Sequence, residues 1–137
     1  MNVAVRYYTK TGNTEKLAKA VAEAVGVEAK TVDTPLTEDV DVLFLCSSVY
    51  YAGADKKVKR FIDGIHVKVG KVVNISSAAL IESTYKQIKG EVEAKGLTMS
   101  PEEWHCKGQW AKKFHEGRPN ADDLKSVAAF AKKVISE

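Results

Sequence analysis

Six consecutive residues, Thr9-Lys10-Thr11-Gly12-Asn13-Thr14, place three hydroxyls, a glycine and an asparagine in one short stretch. Hydroxyls donate to anionic oxygens, glycine lets a backbone approach an anion closely or take positive φ, and asparagine tolerates a tight turn. A helix cap needs one such hydroxyl. Three of them around Gly-Asn point instead to a phosphate group held mainly by neutral donors. The other chemistry-bearing residue types are less promising. His66, His105 and His115 have no HExxH or comparable spacing, so no metal is expected. Cys46 and Cys106 are too few for a disulfide framework and read as reduced thiols. Cys106 follows His105, but neighbouring residues on a strand point to opposite faces, so Cys106 is expected to fill core rather than to act as a nucleophile.

A phosphate loop works only where elements present its backbone. Val3 to Tyr8 reads as a first strand, broken only by Arg6, and Leu17, Val21, Ala24 and Val25 recur at helical spacing from about Thr14 to Val25, before Gly26. The six residues thus join a strand to a helix, where a parallel α/β fold offers free N–H groups to an anion. Val27 to Val32 reads as a second strand. After Pro35 and Glu38-Asp39, the run Asp41 to Cys46 is apolar enough for a central strand buried on both faces. Val58, Phe61, Ile62 and Ile65 mark a helix with a turn at Gly64, Lys71 to Ser76 a fourth strand, and Tyr85, Ile88 and Val92 a helix ending at Gly96. Pro101 restricts a fifth strand within Leu97 to Lys107 to the sheet edge. Asn120 caps a last helix with Asp122 and Asp123 in its first turn and Leu124, Val127, Ala131 and Val134 facing inward. The alternation predicts one α/β domain over residues 1–137, a parallel sheet covered on both faces.

The run at residues 9 to 14 and this order of elements resemble the flavodoxin family, whose hallmark is a Thr/Ser-x-Thr-Gly-Asn-Thr loop that grips the phosphate of FMN. The resemblance spans the whole chain and implies a three-layer α/β/α sandwich with sheet order 2-1-3-4-5. It implies noncovalent FMN as cofactor, with Thr9, Lys10, Thr11, Gly12, Asn13 and Thr14 around the phosphate. The family's first flavin-clasping loop corresponds to Ser47, Ser48, Val49, Tyr50, Tyr51, Ala52 and Gly53, where a tyrosine would stack on the ring. Ser76, Ser77 and Ala78 fall in the second loop, where many members carry an aromatic residue; Trp104 and Trp110 are further candidates to cover the ring.

The resemblance implies an electron carrier between redox partner proteins; the alternative is an FMN-dependent NAD(P)H or quinone oxidoreductase of the same fold. A third reading keeps the fold without flavin, as a binding module. A signalling receiver is excluded because it needs acids after strand one and an Asp ending strand three, where Tyr8-Thr9 and Cys46-Ser47 stand. A Cys-x5-Arg phosphatase is excluded because position 52 is alanine. Unlike the strongly acidic ferredoxin substitutes of the family, the chain has a net charge of +3, which should penalise an anionic reduced flavin less. That charge is uneven, −3 over residues 1–55 and +6 over residues 56–137. Lys56, Lys57, Lys59 and Arg60 form a basic cluster without interleaved aromatics, read as a solvated helix face, so no nucleic acid is expected. No apolar run is long enough to span a bilayer, and the expectation is a cytoplasmic monomer.

Overall fold

A computed structural model describes residues 1–9, 12–49, 56–78, 84–107 and 119–137. Its elements are β1 (Val3–Tyr7), α1 (Asn13–Val25), β2 (Ala29–Thr31), β3 (Val40–Val49), α2 (Lys56–Asp63), β4 (Val69–Ala78), α3 (Tyr85–Ala94), β5 (Met99–Lys107) and α4 (Ala121–Ile135). The five strands form one sheet in the order β2-β1-β3-β4-β5, with every neighbouring pair parallel, as the sequence led us to expect.

Period-two alternation sends each central strand's apolar residues to two cores. Val5, Phe44, Cys46, Val73 and Ile75 pack under α1 and α4, together with Leu17, Val21, Val127 and Ala131. Ala4, Leu43, Leu45 and Val72 pack under α2 and α3, with Val58, Ile62, Ile88 and Val92. Parallel strands joined by crossover helices put the starts of α1, α2 and α3 beyond the C-terminal ends of β1, β3 and β4, which lie side by side.

Three boundaries differ from the sequence reading for identifiable reasons. β2 keeps only three residues because Val27 is taken up in ending α1: its N–H donates to Ala22 O at 2.9 Å beyond the left-handed Gly26. β3 and β4 run past the apolar residues, since their ladder continues through Ser47↔Ser76, Ser48↔Ser77 and Val49↔Ala78. β5 is an edge strand as expected, and its pairing with β4 shifts between Val72↔Met99 and Asn74↔Glu103, around Pro101, which has no N–H to give. Arg6, the one cation within β1, is buried. Its Nε donates to Thr34 O at 2.9 Å and tethers the β2–β3 loop, while burial pulls its pKa down from the usual arginine value.

α4 begins with a capping box: Asp123 N donates to Asn120 Oδ1 at 3.0 Å and Asn120 N donates to Asp123 Oδ2 at 2.8 Å. α1 begins differently. Its cap is Gly12, at φ 89°, which has no side chain of its own to accept from the first turn.

Candidate functional site

An α-helix leaves its first N–H groups without intrahelical partners. At the start of α1 Lys16 N donates to Gly12 O at 3.2 Å, while Gly12 N is satisfied by Thr9 Oγ1 at 2.8 Å. Thr9 accepts in that bond and so keeps its own O–H to donate. Gly12 turns the chain into α1 through a left-handed conformation, and a side chain built there would meet no atom within 4 Å. The helix's positive end lies at the C-terminal end of β1. There is no carboxylate cap to compete with an anion; Glu15 is the acid of the first turn, and it is held by Lys19 at 2.9 Å.

β1 and β3 are neighbours, and the connection leaving β1 runs to β2 on one side while that leaving β3 runs to β4 on the other, so the edge beyond their C-terminal ends is the topological switch point of the sheet. Tyr8 N donates to Cys46 O at 3.0 Å, which carries the β1 end alongside β3. Ser47 is paired in register with Ser76, and Ser48 with Ser77. The structure thus brings Thr9, Gly12, Asn13, Thr14, Ser47 and Ser77 to one edge of the sheet, along with the backbone of Ser48, Val49 and Ala78. Lys10, Thr11, Tyr50, Tyr51, Ala52 and Gly53 lie outside the described residues, as does Trp110. Trp104 is turned elsewhere: it packs on the α1/α4 core, and its Nε1 donates to Ser126 Oγ at 2.9 Å, which commits the ring to α4.

Hydroxyls below this edge are buried and paired. Thr14 is wholly buried, with Oγ1 3.5 Å from Ser77 Oγ, so it braces the loop against β4. On the opposite face of the sheet, Thr84 is a hub. Its Oγ1 lies 3.0 Å from Ser47 Oγ, Asn74 Nδ2 donates to it at 3.0 Å, and Thr84 N approaches Ser76 Oγ at 3.4 Å. Thr84 stands at the N-cap of α3, yet its side chain does not cap that helix. Its hydroxyl ties α3 to β3 and β4 instead. Asn74, Ser47, Ser76 and Thr84 are all essentially inaccessible to solvent, so each lost bond would strand a buried polar group.

The sequence reading missed Asn74 and Thr84. A signal was present, since Asn74 interrupts the apolar run Val72-Val73-Asn74-Ile75 in a strand buried on both faces, where a polar side chain requires a partner. Cys46 and Cys106 are both buried, within the α1/α4 core, and burial pushes the Cys46 thiol far up, which leaves it a poor nucleophile. His105 Nδ1 lies 3.0 Å from Glu103 Oε1 on the other side of β5 from Cys106, so the two neighbours are not a pair. Among the described residues, no three His, Cys, Asp or Glu side chains gather as metal ligands, and no helix is long and apolar enough to cross a membrane.

No protein-family model matches the chain. An uncharacterized protein of Methanocaldococcus jannaschii is 27% identical over 136 residues, 90% of each chain. Among solved structures, a flavodoxin from the domain Archaea superposes with a TM-score of 0.77 at 14% identity, over 99% of this chain and 97% of that one. Oxidised flavodoxin 2 from Bacillus cereus gives 0.72 at 13% identity over 99% of both chains. Rubredoxin oxygen:oxidoreductase from Desulfovibrio gigas gives 0.72 at 16% identity, over 98% of this chain but only 35% of that one. The fold is flavodoxin-like.

Proposed function

We propose that this chain binds FMN at the C-terminal edge of its sheet and works as an electron carrier between redox proteins. One observation carries the reading: α1, reached through the run Thr9 to Thr14 at the switch point, opens on a left-handed glycine with no side-chain cap. A phosphate monoester suits that opening. Its charge lies at the positive end of the helix, first-turn N–H groups donate to it, and Thr9 adds a hydroxyl. The residues present fit the group, since a helix start whose cap is a glycine leaves first-turn N–H groups for a phosphate and Thr9 leaves it a hydroxyl.

When bound, the isoalloxazine ring supplies the redox chemistry, accepting and returning one or two electrons. The protein's part is to hold and shield it. Val49 and Ala78 end the β3 and β4 ladder, and the loops that follow them are the expected clasps for the ring. The hub at Thr84 fixes the root of the second loop against the root of the first. Similarity in fold to flavodoxins supports the flavin reading at the level of architecture.

Titration of the apoprotein tests it. FMN is expected to bind at one per chain, at least about tenfold tighter than riboflavin, because the two ligands differ only in the phosphate and tenfold corresponds to ~1.4 kcal/mol. Equal affinities would show that α1 does not hold phosphate. Rapid oxidation of NAD(P)H by the flavin-loaded protein, with no other protein present, would replace the carrier reading with an enzymatic one.

A further inference from the structure

We propose that the groove between α1 and α4 is the docking site for an acidic protein partner, one that lays a helix carrying carboxylates and a narrow apolar ridge along it. The groove has a volume of about 670 Å³. Its floor is apolar and shallow, formed by Ala20, Ala24, Leu124 and Ala128, whose small side chains let a second helix approach closely. Lysines dominate the walls: Lys16 and Lys19 on α1, Lys125 and Lys132 on α4.

Charge complementarity selects the occupant. Lys19 is paired with Glu15 at 2.9 Å, whereas Lys16, Lys125 and Lys132 make no ion pair among the described residues. Glu23 is the one acid lining the groove. Both helices follow parallel strands, so their positive ends lie at the same edge of the sheet, and Lys16 stands one turn into α1 where a cation is disfavoured by the helix dipole. An acidic partner relieves that repulsion. Among the described residues the groove walls carry no aromatic side chain for bases to stack on and no bulky residue to enter a lipid layer, which argues for a protein rather than a nucleic acid or a membrane.

The proposal does not depend on FMN, because it is read from binding and not from electron transfer. The probe is a helical peptide of about 15 residues with leucines on one stripe and glutamates beside them; a matched peptide carries lysines in place of the glutamates. With the isotope-labelled full chain, the glutamate peptide is expected to shift amide signals of residues 16–24 and 124–132. Lys125→Glu with Lys132→Glu should weaken it at least tenfold, and Lys86→Glu with Lys89→Glu, an equal charge change on exposed α3 positions, should leave affinity within twofold. Thermal melts check that both variants are folded. Binding of the two peptides with equal affinity, equal loss in the two variants, or shifts in the groove caused by duplex DNA or anionic lipid vesicles but not by the glutamate peptide would each overturn the proposal.

Discussion

Gly12 and Gly26 sit at opposite ends of α1, both at positive φ, 89° with ψ −6° and 77° with ψ 31°. Alanine at each therefore carries a backbone penalty of the same kind. A non-glycine residue in the left-handed region costs about 1–2 kcal/mol. A stiffer unfolded chain offsets about 0.4–1 kcal/mol of that. The net loss is about 0.5–1.5 kcal/mol for either variant, or ~2–5 °C in melting temperature for a domain of this size. Ligand binding separates them. A methyl at Gly12 is expected to hold the backbone off an anion; one charge-assisted hydrogen bond lost is worth about 1.5–3 kcal/mol, a ~10- to 150-fold fall in affinity. Gly26→Ala is at the far end of the helix and should bind FMN as the parent does. The assay is an apoprotein melt paired with FMN titration by fluorescence quenching, so that stability and affinity are read separately. If both variants lose affinity together, the effect runs through the stability of α1. If Gly12→Ala binds as tightly as the parent, the phosphate does not rest on these amides.

Thr84→Val keeps the shape of the side chain and removes the hydroxyl on which Ser47 and Asn74 converge, so two buried polar groups lose a partner. We expect a loss of about 2–4 kcal/mol in urea unfolding of the apoprotein, with Thr84→Ser recovering most of it; a loss below ~0.5 kcal/mol for valine would show that the hub is not structural. The second prediction concerns acid. Burial raises the pKa of Glu91, the nearby Lys59 lowers it and Asp63 raises it, for a net upward shift, and its Oε2 and Gln87 Oε1 are buried without a hydrogen-bond partner among the described residues. A carboxyl whose folded pKa lies above its unfolded value favours the fold when protonated, so this contribution is lost as pH rises from the unfolded pKa through the folded one. Glu91→Gln should stabilise the protein at neutral pH, with the gain shrinking toward pH 4 in unfolding experiments; a variant less stable than the parent at pH 7 would contradict the burial argument.

Elements whose residues serve a single purpose were legible in the sequence. Val42 to Cys46 is apolar on both faces because β3 is covered on both, and Asn120 with Asp123 announces the start of α4 because the cap is made locally. β2 was overextended because Val27 has a strand-forming side chain but spends its N–H on closing α1, and periodicity does not record where a backbone bond goes. The Thr84 hub was invisible for a different reason. Asn74 and Ser47 lie 10 and 37 residues away in sequence, and a polar residue within an apolar run shows that a partner must exist without showing which one. The run Thr9 to Thr14 stands out in the sequence because its residue types are contiguous, whereas the bracing by Thr14 and Ser77 depends on register between strands.

That bracing has a consequence for how a ligand at this edge would be felt. β4 is held from both faces just where its ladder ends, by Thr14 of α1 on Ser77 and by the Ser47–Thr84–Asn74 cluster at the start of α3. Residues 76 and 77 are neighbours on a strand, so any displacement of one moves the other, and the two helix starts are coupled through a single peptide unit. The contact on the α1 side is the looser, 3.5 Å against 3.0 Å at the hub. An anion that draws the first turn of α1 outward would act first on Thr14, then on Ser77, while the hub keeps the root of the second loop in place. The segments that follow β3 and β4 thus leave from a common base, tied more closely to α3 than to α1. Under the proposed FMN reading, the loops that clasp the ring would start from the more tightly held of these two contacts, and the phosphate would rest on the looser one.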